Sequence, residues 1–318
     1  MKADRTPLAL SIGLLVFIGG GWLLPAWAQS LAILALGKGL VVLGLLLLMR
    51  CGLVSFGQGL YYCLGAYAAV SISKIFSLPP SLLTSDAVVM PLFGGLVAGV
   101  VAVILGFLLS NYRSIFFAML SLAFSMILYG LLIKMSVLGS SDGFNIAYAT
   151  AAGMTLAPGT HVFALYAVSV VMVFVALVGA HYFLGSHLGR LGPAIRDNEL
   201  RVEYMGASVR RVVHLNYVAA AVLSGVGGGL VALSIGHIDP DLAYWTTSGE
   251  FVFVAILSGT TNVAAPFLGS LIFEWIKSIA YQYTPYTWQL VLGVVLLLVI
   301  MFLPAGLWSL FGRRGKGA

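Results

Sequence analysis

The chain has 318 residues, of which 61% are hydrophobic and only 8% charged, and its mean hydropathy is +1.06. A soluble domain carries about 25% charged residues, so a water-soluble surface cannot be built from this sequence. The formal net charge of +6 does not point to nucleic acid, because its meaning lies in where the basic residues sit relative to the apolar runs.

Those runs are continuous, whereas barrel strands alternate apolar and polar residues. Lipid offers no water to free backbone groups, so the runs must be helices. The 38 glycines suit membrane helices that pack closely. A span needs about 20 mostly apolar residues. That length places spans at 8–27, 30–49, 52–72, 91–110, 115–135, 162–184 and 212–235, followed by 248–259, 264–281 and 288–303. The stretch 248–259 is short for a crossing, which leaves a tilted, a re-entrant and a neighbour-continuous arrangement open. The expected fold is all-α, a polytopic bundle of about 8–10 spans forming one domain over 1–318. Cys51 and Cys63 lie twelve residues apart on one predicted helical stretch, about 18 Å of rise, and read as two apolar thiols.

At the N-terminus, Lys2 and Arg5, an apolar run, then Ala26-Trp27-Ala28 read either as a signal peptide or as a retained first helix. The length of the run favours retention. With the N-terminus inside, alternation puts Arg50, Arg113, Arg190, Arg196, Arg201, Arg210, Arg211, Arg313, Arg314 and Lys316 on the cytoplasmic side, as the positive-inside rule requires. Lys38, Lys74, Lys134 and Lys277 do not fall there. Asp86, Asp142, Asp239 and Asp241 fall in the outward loops, and both termini are expected in the cytoplasm.

The segment 185–211 is the one long polar interval on the inner side. Pro193 suits a first helical position and Gly206 the residue just past a helix end. Ile195, Val202 and Met205 recur near helical spacing, with Leu200 and Tyr204 as an apolar flank, and Asp197 and Arg201 are spaced to pair. A short helix over 193–205 follows. It either rests on lipid or docks a protein. Three acidic residues, Asp197, Glu199 and Glu203, and charges of mixed sign favour a protein partner.

Ala194-Ile195-Arg196-Asp197-Asn198-Glu199 followed by Met205-Gly206-Ala207 resembles the cytoplasmic coupling region of permeases of branched-chain amino-acid ABC importers. Gly52-Leu53-Val54-Ser55-Phe56-Gly57-Gln58-Gly59, continuing to Gly65-Ala66-Tyr67, is similar to that family's early helix motif. Phe117 to Phe124, then Gly139 to Gly143, is similar to its central helix and the glycine-rich loop after it. Ile238-Asp239-Pro240, Ser248-Gly249-Glu250 and Leu303-Pro304-Ala305-Gly306-Leu307 match later landmarks, over roughly 40–310 in all. Ser258-Gly259-Thr260-Thr261 departs from the family's Gly-Gly-Leu-Gly.

The resemblance implies a permease subunit of an ATP-driven importer in a bacterial inner membrane, carrying branched-chain or other apolar amino acids, with urea and short-amide permeases as relatives. It implies a second homologous permease, two cytoplasmic ATPase subunits that hydrolyse the ATP, and an extracytoplasmic solute-binding protein. It implies that Ile195, Arg196, Asp197, Glu199, Arg201, Val202, Met205 and Gly206 couple to the ATPase, and it gives Glu250 a gating or structural role. Lipid is the surrounding partner, and neither nucleic acid nor a cofactor is expected on this chain.

The sequence contains no phosphate-loop motif, no metal-ligand spacing among its five histidines and no nucleophile motif with a matched base. An enzyme is therefore not expected. Intramembrane polar residues are costly and invite a functional reading. Ser55, Gln58 and Tyr62 share one face of the expected 52–72 helix, and either line a path together with Glu250 or make ordinary interhelical hydrogen bonds. Glu274 and Lys277, three apart, are expected to neutralise each other. Gly225 with Gly229, and Gly95 with Gly99, are expected to be close-packing pairs. An ion-coupled secondary transporter, the rival, needs a buried titratable network. Glu250, Glu274 and Lys38 read as too few and too scattered for one. A membrane scaffold without transport is a second rival.

Overall fold

The computed structural model describes residues 13, 17–75, 86–146, 160–303 and 306–309. Lys2, Arg5, Pro304, Ala305 and the basic tail from Arg313 lie outside the described residues. The chain is all-α, and among the described residues the strands form one two-residue antiparallel pair.

After a helical stretch over 17–23, the chain turns at Leu24 and Pro25. Proline lacks an N–H, so the turn sits where a helix would lose a hydrogen bond, and the next helix begins straight after it. Ala26-Trp27-Ala28 is therefore the first turn of helix α1, Ala26–Arg50. The order continues with α2 (Gln58–Ile75), α3 (Val89–Leu109), α4 (Ser114–Lys134), β1 (Phe144–Asn145) and α5 (Thr160–Gly185). Two short helices follow, α6 (His187–Asp197) and α7 (Glu199–Tyr204), then α8 (Val209–Ile235) and β2 (His237–Ile238). The chain ends in α9 (Trp245–Ser258), α10 (Ala265–Tyr283) and α11 (Trp288–Phe302). Among the described residues, five helices, α1, α3, α4, α8 and α5 from His161, are long and apolar enough to cross a membrane. Helices α2, α9, α10 and α11 are shorter or more polar; α2, α9 and α10 pack on the long helices, and α11 packs on α9 and α10. The 14 residues of α9 rise about 21 Å, short of a bilayer core of about 30 Å. It is separated from α10 by a turn beginning at Gly259.

Helix α8 is the hub and packs on α1, α2 and α3. Its small residues make this possible, because without a strong hydrophobic drive between helices in lipid, backbones must come close to gain dispersion contact. A Cβ on Gly225 would lie 2.6 Å from the Gly94 carbonyl oxygen, and one on Gly229 would lie 2.6 Å from Pro91 Cα. Gly95 and Gly99 receive the side chains of α8 valines, so the expected close-packing glycines are found in that role.

The expected helix over 52–72 is shortened at its start. Gly52 adopts φ +76, and the amides of Gly52 and Leu53 donate to the carbonyls of Met49 and Leu48. That pair of bonds ends α1 with a glycine at the left-handed position. Residues 51–57 then form a partly buried non-helical link, and Ser55, itself fully buried, lies in this link rather than on α2.

Candidate functional site: a basic platform and a charged centre

The ends of α1, α3, α6, α7 and α8 meet at one end of the bundle and carry its arginines. Arg113 pairs with Glu199, and Arg210 donates to the Phe107 carbonyl at 3.1 Å. Arg50 donates to the carbonyls of Thr260 and Thr261 at 3.3 and 3.1 Å, which ties α1 to the turn after α9. The stem of Arg196 lies over Gly52, and Gly192 abuts Cys51.

The expected single helix over 193–205 is corrected to two. Ser186 caps α6, with its side chain accepting from the Gly189 amide, so Pro193 sits inside α6 rather than at its start. Asn198, at φ −162 and ψ 104, breaks the run and caps α7 by accepting from the Arg201 amide. An asparagine amide side chain competes with the backbone for hydrogen bonds, which favours a cap over a helix interior. The break falls between Asp197 and Arg201, and no ion pair joins them among the described residues. Gly206 does end the second helix: at φ +86, its amide and that of Ala207 donate to Glu203 and Val202.

The anchors also divide. Ile195 and Val202 are 2% and 1% exposed and pack into the bundle's own core with Leu48, Cys51 and Val209. They fix the platform and are not free for a partner's groove, which corrects the expectation for both. Met205 is 68% exposed, and Leu200 and Tyr204, expected only as a flank, are 64% and 89% exposed. Arg196, Asp197, Arg201 and Glu203 are exposed around them. The outward face is thus three apolar side chains ringed by mixed charge.

Of the candidate path residues, Ser55, Gln58 and Tyr62 are all fully buried within this one chain. Helix starts leave amides without partners, and in a buried start these must be met by side chains. Serines from α4 and α9 do so here: Ser121 Oγ accepts from the Phe56 amide and Ser248 Oγ from the Gly59 amide. Ser55 Oγ accepts from the Gly57 amide. Gln58 Oε1 accepts from Ser224 Oγ of α8 at 2.7 Å, whereas Gln58 Nε2 has no hydrogen-bond partner among the described residues. Tyr62 meets Phe251 edge to face at 5.1 Å. Ser55 and Gln58 therefore cap and join α2, while Tyr62 and Glu250 belong to a second cluster.

That cluster is the charged centre. Lys38 Nζ lies 2.6 Å from Glu274 Oε1 and 3.4 Å from Glu250 Oε2. Lys277 Nζ lies 2.8 and 3.0 Å from the two oxygens of Glu250, and 4.9 Å from the centre of the Trp288 ring. Two corrections follow. Glu274 pairs with Lys38, not with Lys277, because the bundle brings α1 closer to Glu274 than the next turn of α10 does. Lys38, Glu250 and Glu274 are not scattered: α1, α9 and α10 gather them with Lys277 into one net-neutral group. The sequence signal was available in two lysines and two glutamates lying in otherwise apolar runs, since unpaired charges there are costly.

The opposite end of the bundle holds the acidic loops. There β1 pairs with β2, Phe144 opposite Ile238 and Asn145 opposite His237. Ser125 Oγ donates to the Ala243 carbonyl at 2.7 Å. Burial, and then the charge of Asp241, raise the Asp239 carboxyl above the ordinary carboxylate range. A cavity of about 370 Å³ opens here between α1, α5 and α8, lined by Ser30, Asn145, His161 and Gly236 among others.

Residues 28–300 match the family model described as branched-chain amino acid transport system / permease component. The chain is 25% identical over 295 residues to the high-affinity branched-chain amino acid transport system permease protein LivM of Escherichia coli K12, covering 86% of this chain and 66% of that one. It is 24% identical to LivM of Salmonella typhimurium LT2, covering 88% and 68%. It is 25% identical to the probable branched-chain amino acid transport permease protein LivH of Methanocaldococcus jannaschii, covering 86% and 85%. The chain thus spans about two thirds of the length of the LivM proteins it matches. No solved structure matches it.

Proposed function

This chain belongs to the family of branched-chain amino acid transport system permease components, and from that premise we propose that it is the membrane-spanning permease subunit of an ATP-driven importer of apolar amino acids. The observation that carries the reading is the platform of α6 and α7. It is a short two-helix element locked to the core by Ile195 and Val202, and it presents Leu200, Tyr204 and Met205 outward among mixed charges. A rigid element of this kind transmits a push from a soluble partner to the helices it is packed on. A few apolar anchors concentrate the binding energy of such a contact. The partners in this reading are two ATPase subunits at the platform, a second homologous permease, and a solute-binding protein at the opposite end. ATP is hydrolysed by the partners and not by this chain.

The orientation follows from the distribution of charge. Arginines at the platform end and aspartates at the other support a cytoplasmic 185–211 under the positive-inside rule. The membrane is a bacterial inner membrane, with both termini in the cytoplasm.

Substitution Met205→Asp tests the reading. Loss of an exposed apolar anchor costs about 1–3 kcal/mol of association, or roughly 5- to 150-fold. We expect the ATPase subunits to be lost on co-purification, or uptake to fall with ATP hydrolysis retained, while the chain still inserts in the membrane. Wild-type co-purification together with wild-type uptake would remove the platform from this role.

A further inference from the structure

We propose that the charged centre formed by Lys38, Glu250, Glu274 and Lys277 is a transit site for a zwitterion, where the ammonium and carboxylate of one solute molecule take the place of the network's own partners. The inference rests on the transport reading above and assigns that transport a recognition site within the membrane chain.

The first support is position. Lys38 lies 12 residues from each end of α1, and Glu274 lies nine residues from each end of α10. Lys38 is thus midway along a helix long and apolar enough to cross a membrane, where charge is most costly, and α9 and α10 bring the other three charges to it, so a group kept there invites a function. The second is balance. Two lysines and two glutamates sum to zero, so the group gains nothing from admitting a lone ion.

The third support is internal geometry. The group consists of two tight pairs, Lys38 with Glu274 at 2.6 Å and Lys277 with Glu250 at 2.8 Å, joined by a looser 3.4 Å contact between Lys38 and Glu250. A zwitterion entering at that loose joint presents its ammonium to Glu250 and its carboxylate to Lys38. Every charge then keeps a counter-charge. A monocation or monoanion entering at the same place leaves one charge without a partner, and an uncharged amide cannot replace an ion pair at all. The fourth support is access: the four side chains keep between 9% and 19% of their surface open, so the group is not sealed. The Trp288 ring lies 4.9 Å from Lys277 Nζ and offers an apolar surface beside it.

The test uses the complete assembly with its ATPase subunits in detergent and reads weak binding by saturation-transfer NMR. The probes are L-leucine, 4-methylpentanoate, which lacks the ammonium, and leucinamide, which lacks the carboxylate. Wild type is expected to bind leucine more tightly than either single-charge analogue. Glu250→Gln leaves the group one positive charge in excess, so leucine affinity should fall at least tenfold and 4-methylpentanoate binding should rise. If Glu250→Gln does not assemble, the neutral pair deletion Lys38→Met with Glu274→Gln replaces it, and leucine affinity should again fall at least tenfold, without gain of the anion. Unchanged leucine affinity in an assembled variant, or no leucine signal in wild type, overturns the proposal. ATP-driven leucine uptake by wild-type vesicles with the binding protein, measured alongside, separates the two ideas. Uptake without a binding signal removes this site alone, and absence of uptake strikes the transport reading itself.

Discussion

Removing Lys38 from the charged centre should be costly in a way that removing the whole ion pair is not. Its ammonium is the ion-pair partner of Glu274, whose side chain is only 9% exposed. Glu250 keeps Lys277 at 2.8 Å, so it is not stranded by the same change. Deleting one partner of a buried pair costs about 3–5 kcal/mol, because the other charge is left without compensation. The partial exposure of both side chains places Lys38→Met near the lower end, at about 3 kcal/mol. Replacing both partners, Lys38→Met with Glu274→Leu, removes the stranded charge and should cost within about 1 kcal/mol of nothing. Because Glu274→Leu alone leaves Lys38 only its looser 3.4 Å contact to Glu250, the two single costs together exceed that of the double change, and the double-mutant cycle gives a coupling of at least about 2 kcal/mol. Reversible unfolding in mixed micelles, followed by tryptophan fluorescence, measures each corner. A cost for Lys38→Met below about 0.5 kcal/mol, with additive single changes, would show that the pairing does not hold the helices together.

Three further outcomes follow from backbone geometry. Gly206→Val places a β-branched residue at φ +86, which costs at least about 1–2 kcal/mol, so the α7 end should fray and proteolysis near 206 should quicken in inverted vesicles. Gly65→Ala sets a Cβ against the backbone of Gly225, which cannot yield, and should destabilise by about 1–3 kcal/mol on the same unfolding measurement. Gly130→Ala in mid-α4 meets nothing within 4 Å and should be neutral or stabilising by up to about 1 kcal/mol.

The long apolar runs could be read directly, because a membrane span is a matter of length and hydropathy along one segment. The runs at 30–49, 91–110, 115–135, 162–184 and 212–235 correspond to the five long helices. What could not be read depends on contacts between segments. Residues 51–57 look as apolar as a helix start, but the turn at Gly52 and serines from two other helices make a partly buried non-helical link there. The platform is broken in two by a single side chain, Asn198, and which of its apolar residues face outward depends on how it leans on α1 and α8. The pairing of Lys38 with Glu274 is separated by 236 positions and has no local signature, whereas the spacing of Glu274 and Lys277 suggested a local pair that the bundle overrides. Gly206 was legible because a helix stop is a local backbone requirement.

The central claim, that this chain passes solute under the drive of ATP hydrolysed by partners docked on its platform, is tested most directly by uptake into vesicles holding the assembled permeases and ATPase subunits. With the binding protein and leucine outside and ATP inside, we expect accumulation that stops when ATP is replaced by a non-hydrolysable analogue and that is unchanged when proton and sodium gradients are collapsed. Accumulation that follows an ion gradient and persists without ATP would contradict the account and assign the charged centre to ion coupling instead.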